Sequence, residues 1–261
     1  MEIFEKSSDW QTLYRRWRGE TSSYPFVVNK RSPFTPARRA LPMLNLALIS
    51  SAGAYIDGTS PFEIESRDGD FTFREIPIEI EAEDLQFSAR GYDPKDVRED
   101  LNSQIPIERL QNYADNGVIG QLNPVWWSFM GHAPNAMRLT ETLVPQMVER
   151  IQRYEVQAAL IIPASKICHQ SCALLARAVE ASGIPTMMLA VEREVVDKVH
   201  PPRCGFYKGD FGSVAGKPKW KQHQLRILDE ALRWIEPLDQ PTVRKLVVTL
   251  ETETEAKRGE R

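Results

Sequence analysis

Two of the chain's three cysteines and one of its four histidines fall within five residues, Cys168-His169-Gln170-Ser171-Cys172. Three chemistries fit that spacing. Cys168 reads as a reactive thiol if it opens a helix, where about half a positive charge and free backbone N–H groups favour the thiolate. Its pKa is then expected below about 8.5, with His169 adding charge or relaying a proton and Cys172, one turn on, as a resolving thiol. Alternatively, the three side chains bind zinc. Closed zinc sites usually take four ligands, and only Cys204 is left as an obvious fourth, so no tightly bound metal is expected. In the third reading both cysteines are packing residues, since free Cys is among the most buried types.

The elements around these residues are what would position them. Ala158 to Ile162 is a short apolar run stopped by Pro163 and reads as a buried strand. Ala173 to Ala181 has helical composition and closes at Gly183, and Ile184 to Val191 starts a second apolar strand. A strand, loop, helix and strand in that order predict two parallel strands. Ligands in open α/β sheets bind outside the carboxyl ends of the strands, where Cys168 would lie. Leu44 to Ser50 is a third near-continuous apolar run, so the Ile162 strand is expected at the centre, flanked by the other two.

The 261 residues are 42% hydrophobic and 26% charged, ordinary for a soluble domain. A net charge of −3 and a pI near 5.9 give no sign of a nucleic-acid partner. No apolar run approaches the roughly 18 residues of a membrane span, and the first twenty residues lack a signal-peptide core. Three cysteines do not make a secreted disulfide framework, so the cytoplasm is the expected compartment.

Residues 1–43 read as a short helix, Trp10 to Arg18, capped by Ser8 or Asp9, followed by a proline-rich extended arm that wraps the domain or a partner. Residues 44–236 read as the α/β domain and 237–261 as a flexible tail, charged from Glu251 onward. Ser51-Ala52-Gly53 after the Leu44 strand allows close backbone approach to a ligand. Asp70 to Ile76 alternates as a half-wet strand, Val118 to Gly120 reads as a short strand, and Pro124 to His132 as a loop crowded with aromatics. Pro106 to Asn116 and Lys219 to Ile235 read as helices, and Asn135 to Tyr154 as a long one that Pro145 kinks or divides. Gly209 to Lys217 is glycine-rich, but Pro218 stands where a phosphate loop needs Ser or Thr.

Several strings in common order resemble the glycine/sarcosine/betaine/D-proline reductase selenoprotein B family, in particular its shorter members. They include Ser51-Ala52-Gly53 with Tyr55, Asp68-Gly69-Asp70 with Phe73 to Pro77, Pro106 to Leu110, Gly117 to Gly120, Cys168-His169-Gln170 and His200 to Arg203, within roughly 44–235. The resemblance implies a selenocysteine or cysteine in a U-x-x-C arrangement after a strand. That residue attacks a substrate activated by a separate pyruvoyl-containing subunit and cleaves a C–N bond reductively. On this chain the x-x-C cysteine is Cys168 and the first position is Ser165, which cannot form a selenenylsulfide or disulfide. Among the matched positions, Arg74 suits a substrate carboxylate, and Asp57 and Asp100, with Asn102 beside them, suit an ammonium. His132 is a candidate acid or base. Caps, turns and surface pairs are the plainer roles for the first four, and a hydrogen-bonded loop histidine for His132.

The expected protein is therefore an α/β domain with a mostly parallel sheet, helices on both faces and an N-terminal arm. Its leading function is a thiol-dependent oxidoreductase centred on Cys168, with Ser165, His169 and Cys172 beside it and a dithiol donor. Its partners are a small amino-acid or amine substrate and a reductase-type subunit; no cofactor, nucleic acid or membrane is implied, and self-association is left open. The alternative from another class is a binding or scaffold subunit that has lost the redox pair. Non-redox chemistry in the same pocket is a third reading.

Overall fold

The computed structural model describes residues 8–248. Its centre is a sheet in the order β10-β9-β8-β7-β1-β6-β3, with β5 also pairing β1. In chain order these are β1 (Asn45–Ser50), β3 (Phe73–Pro77), β5 (Gln121–Leu122), β6 (Val125–Phe129), β7 (Ala158–Ile162), β8 (Thr186–Ala190), β9 (Arg203–Phe206) and β10 (Thr242–Lys245). Only β3 runs antiparallel to its neighbour. A separate ribbon pairs β2 (Ala54–Ile56) with β4 (Leu85–Phe87). The β7 strand sits between β1 and β8, as the three apolar runs predict.

Alternate residues of these strands feed two buried layers, which is why the runs are apolar throughout. Ala47, Ile49, Ala159, Ile161 and Met188 face α5 (Val144–Arg153), α6 (Lys166–Ala181) and α7 (Arg193–Val199). Leu46, Leu48, Leu160, Ile162 and Leu189 face α3 (Ile107–Asp115) and α8 (Lys221–Leu232). Two short helices, α2 (Lys95–Glu99) and α4 (Ala136–Arg138), and the N-terminal α1 (Ser8–Arg16) complete the set.

Several local expectations change. The aromatic stretch after Pro124 is the strand β6, not a loop, because Trp126 and Trp127 point into opposite buried layers. Bulky aromatics suit a pleated surface covered on both sides. The short strand near Val118 to Gly120 is displaced to Gln121–Leu122, where pairing to β1 begins. The expected break at Pro145 appears as a π turn over Leu139–Leu143. Proline has no N–H for the carbonyl one turn back, and the widened turn accommodates it. Helix α1 is described over Ser8–Arg16, two residues earlier at each end than the expected span from Trp10 to Arg18. Residues 242–245, within the expected tail, form the edge strand β10 parallel to β9. The charged segment from Glu251 lies outside the described residues.

The arm wraps the domain itself. Asn29 N–H donates to the Lys198 carbonyl at 2.9 Å, and Thr35 N–H donates to Glu180 at 2.6 Å.

Candidate functional site

After β1 the chain turns toward β6, and after β7 it turns toward β8, so the β1/β7 border is a topological switch point. Ser51 leaves β1 there, and its hydroxyl accepts from Ala164 N–H at 3.0 Å, tying the two turns together. Ser165 then caps α6. Its extended backbone and side chain suit the cap position, and the hydroxyl accepts from Cys168 N–H at 3.4 Å.

Cys168 therefore sits in the first turn of a 16-residue helix, as the sequence predicts. The Ser165 hydroxyl donates to Sγ at 3.0 Å, and the thiol donates weakly to the Ser51 carbonyl at 3.7 Å. A Cβ on Gly131 would come within 3.2 Å of Sγ and 2.4 Å of Ser51 Cβ, so only glycine fits against this thiol. The surroundings leave Cys168 only 1% exposed. Burial pushes its thiol up, and the hydrogen bonds from Ser165, Ser51 and the nearby backbone offset only part of that. This direction is opposite to the lowered pKa expected from the helix N-terminus, and its largest cause is burial. Burial also pushes up Cys172, with the neighbouring Cys168 adding to it, and Cys204. All three thiols are free and buried.

His169 is a connector. Its Nδ1 meets the Ser165 carbonyl at 2.7 Å, and Nε2 accepts from Val191 N–H at 3.1 Å, joining α6 to the end of β8. Burial lowers its pKa to about 4, so it is neutral at pH 7. Gln170 faces the other way and accepts from Val27 N–H at 2.8 Å, anchoring the arm.

His132 reaches the site from the end of β6. A Cβ built on Gly91 would fall 2.4 Å from His132 Nδ1 and 3.1 Å from Ser165 Cβ, which places both side chains under the Gly91 turn. Gly91 has φ +81°, a conformation glycine adopts freely. Burial lowers His132 to about 4, with the Arg90 guanidinium adding to the shift and the Arg90 backbone opposing it.

The family described as Glycine/sarcosine/betaine reductase selenoprotein B matches residues 13–164, more than half of the chain. The chain belongs to this family. It is 30% identical over 214 residues to D-proline reductase subunit gamma of Acetoanaerobium sticklandii, covering 82% of this chain and 86% of that one. Glycine reductase complex component B subunit gamma of Symbiobacterium thermophilum is 26% identical over 68% of this chain but only 42% of its own length. Sarcosine reductase complex component B subunit beta of Peptoclostridium acidaminophilum is also 26% identical, again over 42% of its length. The chain thus spans less than half of these two longer relatives. No solved structure matches. The family match ends at residue 164, one residue before Ser165.

Within this selenoprotein B fold the other candidates lie elsewhere. Asp100 accepts from Lys219 N–H at 2.8 Å and Gln224 Nε2 at 2.6 Å. Asn102 donates to Glu108 at 3.1 Å, so this pair ties α3 to the start of α8. Arg74 bonds Thr72 and the Ser60 carbonyl and lies over Phe62, on the outer edge strand. Asp57 is exposed at the end of the β2/β4 ribbon. The structure thus brings together Ser165, Cys168 and His132, with Ser51, Gly91, Tyr92 and Gly131 around them. Tyr92 spans the site from above, its hydroxyl donating to the Ala52 carbonyl at 2.6 Å. Gly91 and Gly131 carry no side-chain signal in a single sequence; only their neighbours' identities hinted at them. Among the described residues no three His, Cys, Asp or Glu side chains form a metal-binding group.

Proposed function

We propose that this chain is a subunit of a reductase-type complex that binds a small amino-acid or amine substrate at the β1/β7 switch point and leaves the dithiol redox couple to a partner. The related D-proline, glycine and sarcosine reductase subunits support the complex and the substrate class. The observation that carries the non-redox part is Cys168, 1% exposed and paired with a serine where the resemblance implies its redox partner. A serine hydroxyl cannot take up or release the two electrons of a disulfide exchange. Burial also holds the thiol in its protonated, poorly nucleophilic form.

A second reading keeps Cys168 as the nucleophile of a reductive C–N cleavage, with an external dithiol as donor. It is favoured by the Ser165 hydroxyl donating to Sγ at 3.0 Å in the first turn of α6. Iodoacetamide alkylation of the native protein across pH, read by mass spectrometry, separates the two. The binding-subunit reading expects all three cysteines to label together and only on denaturation. Labelling of Cys168 first and below neutral pH, lost in Cys168→Ser, overturns it in favour of the thiol enzyme.

A further inference from the structure

Two polar groups beside Cys168 are only partly satisfied. His132 is 7% exposed, and its Nδ1 meets no hydrogen-bond partner among the described residues. A buried ring nitrogen without a partner pays for its lost hydration, and such a group calls for an explanation, a bound ligand being one. The second is Arg90, half-buried, which donates to the Ser66 carbonyl and feels the Glu65 carboxylate but forms no salt bridge among the described residues. A guanidinium in that state is a ready partner for a carboxylate, which it takes in a two-pronged geometry.

The cover over these groups is thin. Gly91 is exposed, and beneath its Cα lie His132 Nδ1 and Ser165 Cβ. Any side chain at Gly91 would strike the imidazole, so the turn can lie this close to His132 only as glycine. The turn is pinned on both sides, by Arg90 to Ser66 and by Tyr92 to Ala52. Lifting Gly91 would uncover the imidazole, the Ser165 side chain and, behind it, Cys168.

We propose that Arg90 and His132 form the carboxylate-binding subsite of the Cys168 site, entered under the Gly91 turn, with the substrate's amine end directed toward Ser165 and Cys168. This inference rests on the amino-acid substrate class of the proposed function. Arg90 supplies the charge and His132, once protonated, a second donor. The group next to the carboxylate then lies over Ser165. Arg74, on the far edge strand, has no part in it.

The test is NMR titration of the histidine ring protons in the full chain, with acetate, methylamine, glycine and D-proline as probes. A carboxylate at the subsite favours the imidazolium, so acetate, glycine and D-proline each raise the His132 pKa from about 4. Methylamine leaves it unchanged. His169 is the internal control, since both its nitrogens are bonded to the protein and its pKa stays at about 4 with every probe. Arg90→Gln abolishes the acetate response, Arg90→Lys keeps part of it, and an unmoved His169 resonance shows that the fold survives. No response of His132 to any carboxylate, or an equal response in Arg90→Gln, overturns the subsite. A response to acetate no weaker than to glycine and D-proline leaves the anion site standing and removes the amino-acid class on which it was built. The alkylation experiment can fail independently of all of these.

Discussion

At the C-terminal end of α6, Glu180 and Arg203 form a fully buried pair that also holds the arm and β8: Glu180 accepts from Thr35 N–H at 2.6 Å and Thr186 N–H at 2.8 Å. Arg203 donates to the Thr35 carbonyl at 2.7 Å and stacks 4.0 Å over Phe34. Arg177 adds bonds to the carbonyls of Arg31 and His200. At the N-terminal end of the same helix, Gly131 closes in Cys168, His132 Nδ1 has no hydrogen-bond partner among the described residues, and Arg90 feels the Glu65 carboxylate without an ion pair to it. Arg203 Nε is unpartnered at the first end as His132 Nδ1 is at the second, but the first end closes a direct, buried ion pair and the second does not. A buried polar cluster closed by an ion pair serves folding; one without it has room for a charged ligand.

Breaking the ion-paired end should have the larger effect. Glu180→Ala leaves Arg203 buried without its carboxylate and removes the acceptor for two backbone N–H groups. Losing one member of a buried pair costs about 3–5 kcal/mol, which a urea denaturation midpoint will register. A loss under about 1 kcal/mol would show that this end is no more rigid than the other.

Lowering the pH probes both ends of the argument at once. His132 and His169 have folded pKa values of about 4, below the ordinary 6.5. The unfolded chain therefore takes up their protons first, and stability is complete above about pH 6.5 and lost as pH falls toward 4. Each histidine accounts for up to about 1.4 kcal/mol per pH unit in that window. Urea unfolding at pH 7 and pH 5.5 should show the loss, and His169→Gln should remove about half of it. With a carboxylate ligand at saturation, the His132 share should shrink while the His169 share stays. An unchanged slope in His169→Gln would place the proton uptake elsewhere.

The central strand order was legible because β1, β7 and β8 are apolar on both faces, a pattern only a doubly covered sheet requires. The first-turn position of Cys168 was legible from the strand, loop and helix order; the cap at Ser165 was not singled out in the sequence. The direction of the thiol's pKa was not, because the dipole is a local property of the helix while burial comes from Ser51, Gly131 and Tyr92, distant in sequence. Arg74 and Arg90 illustrate the same limit. Arg74 lies in a matched string while Arg90 was not singled out, and only the fold shows that one lies on an edge strand and the other beside His132. Asp100 and Asn102 matched in order too, yet their side chains are spent on Lys219, Gln224 and Glu108, contacts that no spacing announces.

The smallest effect expected is at Ser165, where folding and chemistry meet. Ser165→Ala removes the cap on α6 and the donor to Cys168 Sγ together. The cap is worth about 0.5–2 kcal/mol, a modest loss against that of Glu180→Ala. The hydroxyl also favours the thiolate, so its removal pushes the Cys168 thiol further up and slows any alkylation of the native protein. Native-state alkylation rates at fixed pH, set beside the urea midpoint, separate the two roles. If Ser165→Ala instead speeds alkylation while stability barely changes, Ser165 acts as a plug over the thiol. The N-terminal end of α6 would then be a site that opens by moving one side chain, and the contrast with the Glu180 end would be one of access more than of missing partners.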